Sequence, residues 1–324
     1  MQHRDQQALD FAHGHCAQGA WLVTIIAASG SSPRPVGSLL ACADDGTRAG
    51  SVSGGCVEDD LLERLRGDEF TGRRVAQLDY GVSAEENARL GLPCGGRLTL
   101  LLQRLDPGDR PWLAALGAAI GERRCLCRSV DLASGDTRLA DTDTPAVPQL
   151  DEGTFRQVFG PQQRLLLVGA GELAASLAEL ALAMDYDVLV TDPRQSALDQ
   201  WTGPAVPLLQ GMPDDIAREH AADRHSLVIT LTHDPRIDDM ALMEALDSEA
   251  WYVGALGSRR TTEARRERLL ELGVSETALA RLHAPVGLPI GSKTPLEIAV
   301  AIMAELVQLK RRGVAGYERG CVHP

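Results

Sequence analysis

The segment Leu165-Leu-Leu-Val168-Gly169-Ala-Gly171-Glu172-Leu173-Ala174 restricts this chain more than any other. An unbroken apolar run that ends in Gly-x-Gly-x-x-Ala and passes into a helical pattern reads as a strand buried on both faces, a sharp turn and a helix folded back on the sheet. The first Gly turns the chain, the second admits a pyrophosphate to the helix N-terminus, and the small Ala174 lets helix and strand approach. Asp192 stands 21 residues beyond Gly171, at the end of the next apolar run Asp187–Thr191. A carboxylate there accepts hydrogen bonds from ribose hydroxyls and disfavours a 2′-phosphate. The same glycines also serve strand-helix packing with no ligand at all, and Glu172 at the mouth of the turn weighs toward that reading.

Further strands are expected at Ser226–Leu231, Trp251–Ala255 and Leu282–Ala284. Leu173, Leu177, Leu180 and Met184 recur at helical spacing, and Thr294-Pro-Leu-Glu297 is a capping box opening a last helix faced by Ile298, Ile302, Met303, Leu306 and Leu309. That face suits core packing and a homodimer contact equally. A Rossmann-like parallel α/β domain over 151–324 follows. At 324 residues the chain has room for a second core. Over 1–150, short apolar runs (Trp21–Ala27, Gly37–Ala43, Arg97–Gln103) alternate with Gly, Pro and Ser clusters around one amphipathic helix, Val57–Arg66, which reads as a mixed α+β domain. The polar, Pro-containing segment 141–148 is the expected linker.

Charge and cysteine usage narrow the function classes. A formal net charge of −13 repels polyanions and argues against nucleic acid or an anionic membrane as general partners. The most apolar stretch, Leu165–Val190, carries four carboxylates, so no membrane span is expected, and the first twenty residues lack a secretory pattern, which makes a cytoplasmic location the default. Seven scattered cysteines without a CxxC pair encode neither a disulfide framework nor a zinc knuckle.

The polar loops after the later strands are candidate ligand contacts. They are Thr232-His233-Asp-Pro235, Gly254-Ala-Leu-Gly257-Ser258-Arg259-Arg260 and His283-Ala-Pro-Val-Gly-Leu288. Gly257, Ser258 and Arg259 suit a phosphate, while His233 and His283 fit acid-base, ligand or purely structural roles. Gly291-Ser-Lys-Thr294 lacks the full P-loop pattern. Two thiols lie in Gly-Gly loops: Cys56, in Ser53-Gly54-Gly55-Cys56-Val-Glu58, and Cys94, in Gly91-Leu-Pro-Cys94-Gly-Gly96. A helix start favours the Cys56 thiolate, whereas Glu58, Asp59 and Asp60 oppose it. Arg34, in Ser31-Ser-Pro-Arg34-Pro-Val-Gly37, offers an anion-binding lip or a rigid turn, and the other cysteines read as buried and inert.

In order along nearly the whole chain, the Ser29–Gly37, Ser53–Glu58, Gly91–Gly96, Gly169–Gly171, Thr232–Pro235, Tyr252–Arg260 and His283–Leu288 motifs resemble the XdhC/CoxI family, accessory factors of molybdenum hydroxylases such as xanthine dehydrogenase. The resemblance implies an N-terminal mixed α+β XdhC/CoxI-type domain followed by a Rossmann-like domain. It also implies a maturation factor rather than a stand-alone enzyme: one that binds the molybdenum cofactor (molybdopterin), supports its sulfuration with a cysteine desulfurase and delivers it to the hydroxylase apoenzyme. Cys56 would then carry sulfur or ligate molybdenum transiently, with Glu58 nearby and Cys94 as a second thiol. Arg34, Ser258 and Arg259 would hold the pterin phosphate, an arrangement that needs the two domains to face each other, and Gly54, Gly55, Gly169, Gly171, Asp192, His233, Gly257 and His283 join them as cofactor contacts. One departure is Glu172, where the family often carries His. Two rival readings stand beside this one: a cofactor chaperone without thiol chemistry, and an NAD-dependent oxidoreductase, for which no hydride-transfer residue is evident.

Overall fold

Period-two alternation builds the first of the two units into which the chain divides, Met1–Pro161 and Gln162–Pro324. The computed structural model describes residues 3–30, 34–83, 96–143 and 146–320. In the first unit, β1 (Ala20–Ser29), β2 (Leu39–Ala43), β3 (Arg48–Gly50), β4 (Val75–Tyr80) and β5 (Arg97–Leu105) form an antiparallel sheet in the order β3-β2-β1-β5-β4. Trp21, Val23 and Ile25 of β1 pack with Val57, Leu61 and Leu65 of the helix Cys56–Arg66. Leu22, between them in sequence, packs instead with Ala8, Leu9 and Ala12 of the helix His3–His15 and with Leu113 and Leu116 of Arg110–Gly121.

A second antiparallel sheet follows, of β6 (Leu126–Asp131), β7 (Thr137–Asp141), β8 (Gln149–Asp151) and β9 (Thr154–Phe159), in the order β7-β6-β9-β8. The segment expected as an interdomain linker therefore joins β7 to β8 of one sheet. Residues 151–161 belong to the first unit, because β9 pairs along β6 and buries Phe155 and Phe159. Arg128 of β6 is wholly buried, bonded to Gln103 of β5 and lying over the Trp112 ring, and burial pushes its guanidinium down to about 10.

The second unit is one parallel sheet of β10 (Arg164–Val168), β11 (Asp187–Thr191), β12 (Leu208–Leu209), β13 (Ser226–Thr230), β14 (Tyr252–Ala255) and β15 (Leu282–His283), in the order β12-β11-β10-β13-β14-β15. Counted from β10 this is 3-2-1-4-5-6, the order of doubly wound dinucleotide-binding sheets, whose ligand crevice opens beyond the strand ends at the first strand. Leu165 and Leu167 pack with the helices Glu172–Ala183 and Pro295–Gly320, while Leu166 and Val168 pack with Pro213–His220, Pro235–Asp247 and Arg259–Glu271. The leucine stripe expected on Glu172–Ala183 holds at three of its four positions: Leu177 is buried and Leu173 and Leu180 pack partly buried against the same core, while Met184 is exposed. Ala174, Ala178 and Ala181 complete the contact, their small side chains bringing the helix close to the sheet. Among the described residues no helix is long and apolar enough to cross a membrane.

Candidate functional site

At the end of β10, Gly169 takes a φ of 109°, and a Cβ there would stand 2.7 Å from Thr232 Cγ2, so only glycine fits this turn. Gly171 is different: nothing lies within 4 Å of where its Cβ would be. It faces a cleft of about 820 Å³ lined by Gly169, Glu172, Arg194, His233, Arg236 and Lys293 among others. A second hollow of about 570 Å³ shares Gly171, Glu172 and Arg194 and adds Ser196, Gln200 and Thr202.

Asp192 does not present its carboxylate to this cleft. It is fully buried, and both oxygens are engaged: Oδ1 accepts from Arg194 N at 3.0 Å and Nε at 2.9 Å, Oδ2 from Arg194 Nη2 at 2.8 Å and Ala170 N at 3.2 Å. Burial works to raise its pKa, but the Arg194 contacts outweigh it and hold the carboxyl below the usual range. The expected ribose acceptor is therefore a positioning residue that ties the glycine turn to Arg194. Arg194, two residues downstream, was not a sequence candidate; its side chain is 55% exposed.

Of the later loops, the one after β13 lines this cleft and the His283–Leu288 motif after β14 does not. His233 is exposed and lines the cleft. Behind it Thr232 donates through Oγ1 to the buried Asp238 at 2.7 Å, and Asp238 in turn receives Arg265 Nη2 at 2.9 Å, while Arg265 Nη1 donates to the Leu256 carbonyl. Asp238 and Arg265 thus lock the loops after β13 and β14 together. Burial pushes the Asp238 carboxyl up to about 6 against the opposing pull of Thr232 and Arg265. Gly257, Ser258 and Arg259 are not among the residues lining the cleft. Ser258 caps its helix by accepting from Thr261 N at 3.1 Å, and Arg259 is exposed. His283 turns to the last helix: its Nδ1 lies 3.1 Å from Glu305 Oε1, its ring stacks on Tyr252, and Glu305 Oε2 accepts from Tyr252 Oη and Gly287 N. Burial would raise the Glu305 carboxyl, but these donors hold it low. That is the structural role among those open to His283.

In the first unit the Gly-Gly-Cys loop is organised by Glu58. Its Oε1 accepts from Ser51 Oγ (2.7 Å), Val52 N (3.0 Å), Ser53 N (2.8 Å) and Gly54 N (3.1 Å), and its Oε2 from Gly55 N (2.9 Å) and the Ser53 hydroxyl. Against the raising effect of burial, the two serine hydroxyls and the loop N–H groups carry this carboxyl down to about 2. A carboxylate so saturated is no proton acceptor at neutral pH, so Glu58 shapes the loop rather than sharing in the chemistry. Cys56 opens the helix directly after Gly54 and Gly55, both exposed, at φ 95° and 149°, with open space around their Cα positions. Arg34 is half-buried between β1 and β2. Cys94, Cys321 and residues 31–33 lie outside the described residues. Cys16, Cys42 and Cys125 are buried, and burial, aided by Asp44, pushes the Cys42 thiol up to about 12, as suits an inert thiol. Among the described residues no cluster of three or more His, Cys, Asp or Glu is arranged to hold a metal ion.

Both units have recognisable relatives. The family model of the XdhC Rossmann domain matches residues 165–306, and that of the XdhC and CoxI family matches 16–81. A Bacillus subtilis protein named as a probable xanthine dehydrogenase subunit is 28% identical over 90% of this chain and 94% of its own length. The Escherichia coli molybdenum cofactor insertion chaperone PaoD is 30% identical over 90% of this chain and 84% of its own. A crystal structure of a Bacillus halodurans protein described as a xanthine dehydrogenase superposes with a TM-score of 0.73 at 26% identity, covering 94% of this chain and 95% of that one. With a mixed α+β unit carrying Ser53–Glu58, a Rossmann unit after it, and relatives that align along nearly its whole length, the chain belongs to the XdhC/CoxI family.

Proposed function

We propose that this protein is an accessory factor that takes up the molybdenum cofactor and inserts it into a molybdenum hydroxylase of the xanthine dehydrogenase type. The observation that carries this reading is the near full-length similarity to the E. coli insertion chaperone. Here molybdenum is cargo, so a reversible contact suits it better than a closed ligand cage. The Cys56 thiol supplies that contact: it loses its proton to solvent as its sulfur ligates molybdenum on loading, and on delivery the sulfur takes a proton back from solvent as a ligand of the apoenzyme site or water replaces it. Glu58 supports this role by fixing Ser51–Gly55, which keeps the backbone beside Cys56 open to an approaching ligand. Sulfuration proceeds while the cofactor is held: the Cys94 thiol closes a disulfide with the persulfide-bearing cysteine of a cysteine desulfurase, which releases the outer sulfur as sulfide, and the sulfide replaces an oxo ligand that leaves as water.

The test is anaerobic loading of the full-length protein with molybdenum cofactor, followed by activation of an apo-hydroxylase, for wild type, Cys56→Ala and Cys94→Ala. The reading expects loading and activation by wild type and loss of one or both in Cys56→Ala. Unchanged delivery by both variants would leave a chaperone without thiol chemistry. Failure of the wild type to load would overturn the function itself.

A further inference from the structure

We propose that the cleft of the second unit takes a nucleotide whose ribose carries a phosphate monoester, the class of 2′-phosphorylated dinucleotides, in preference to the unphosphorylated form, and that Arg194 selects it. This preference rests on the fold and on Arg194, not on cofactor delivery, so its failure would leave that function standing. In a doubly wound sheet of this order the pyrophosphate lies on the glycine turn and the first nucleoside lies over the end of the second strand. That end is Thr191-Asp192-Pro193-Arg194.

A carboxylate open at this place would take the ribose hydroxyls. Asp192 is closed to them: it is fully buried and all its contacts are internal. What a ribose meets is the half-exposed guanidinium of Arg194. Asp192 occupies Nε and Nη2 and so holds the planar group in place, while Nη1 makes no hydrogen bond among the described residues. A guanidinium fixed along one edge and open along the other is a preorganised fork for phosphate oxygens.

The surroundings agree with a charged ribose rather than a neutral one. Arg194 lines both hollows, and the smaller one is lined also by Ser196, Gln200 and Thr202, polar side chains suited to a nucleoside. In the larger cleft Arg236 pairs with Asp234, and Lys293 adds a further cation to the lining. Glu172 lines both hollows and works against a pyrophosphate, so a monoester held by Arg194 adds an attraction that the unphosphorylated dinucleotide lacks.

Titration calorimetry of the full-length protein with NADP+, NAD+ and coenzyme A decides the matter. The first and third carry a ribose monophosphate at the 2′ and 3′ positions, and the second carries none. One charge-assisted contact is worth about a tenfold preference for NADP+ over NAD+. Tighter binding of coenzyme A than of either dinucleotide, lost in Arg194→Ala, would support the same site with the 3′-monoester as its source. In Arg194→Ala the preference should collapse while NAD+ binding is kept, and Arg194→Lys should retain part of it. Equal affinity for NADP+ and NAD+ in wild type, tighter binding of NAD+, or no binding of any of the three would overturn the proposal. The wild-type comparison stands whether or not the variants fold.

Discussion

The turn Ser51–Gly55 and the turn Gly169–Gly171 stand at the start of the helices Cys56–Arg66 and Glu172–Ala183, and they treat the donors of their helices in opposite ways. In the first, Glu58 is the third helical residue after the cap Gly55, and its carboxylate folds back to collect the N–H groups of Val52, Ser53, Gly54 and Gly55. In the second, the residue at that position is Ala174, and the acidic residue, Glu172, is the first of the helix, exposed, and lines the cleft. Among the described residues no side chain caps this helix start, so its first-turn N–H groups stay free for an anion that can tolerate Glu172 beside it. A glycine-rich helix start is thus not a ligand site in itself. The side chain three residues on decides whether the protein fills it from within.

The contrast breaks most readily at Glu58. Glu58→Ala leaves Val52 N and Ser53 N without their acceptor, removes the stronger partner of Gly54 N, Gly55 N and two serine hydroxyls, and should cost about 3 kcal/mol in denaturant unfolding. A loss below about 1 kcal/mol would mean that the loop holds its shape without the carboxylate. Next in size is Gly169→Ala, which combines an unfavourable φ with the contact on Thr232 and should cost about 2 kcal/mol.

A smaller effect appears in pH. Glu58 sits at about 2 in the folded protein against an ordinary 4.5, so its contribution is complete above 4.5 and is lost as pH falls from 4.5 toward 2. Asp238 runs the other way: raised from 3.8 to about 6, it favours the folded state progressively more as pH falls between those values. Unfolding free energies across this range should show a falling acid limb that flattens in Glu58→Gln and not in Asp238→Asn. The smallest expected change is in Gly171→Ala, under about 0.5 kcal/mol in stability because its φ is negative and its surroundings are empty. A large loss there would show that the open turn is packed after all.

Much of the second unit was legible because its signals are local. The run Leu165–Val168, the glycine turn and the Thr294–Glu297 box each act within a few residues, and the box forms as expected, with Glu297 accepting from Thr294 N and Glu297 N donating to Thr294 Oγ1. The first unit was read less well. Its helix His3–His15 carries a weak apolar stripe, and β7 and β8 are short, largely exposed strands, so periodicity had little to register. Arg194 carried one available signal, its place two residues after Asp192.

By itself the sequence determined the alternation of strand and helix from residue 164 onward, the placement of both glycine turns, and the motifs that mark the XdhC/CoxI family. Those are matters of backbone conformation and apolar spacing, settled between neighbours in the chain. Only the tertiary structure decided which charges are spent. It buried Asp192 under Arg194, joined Thr232 to Arg265 through Asp238, and drew His283 and Tyr252 onto Glu305, 22 and 53 residues away. A carboxylate's availability depends on what else is desolvated beside it, and that is set when distant segments pack, not when each is formed.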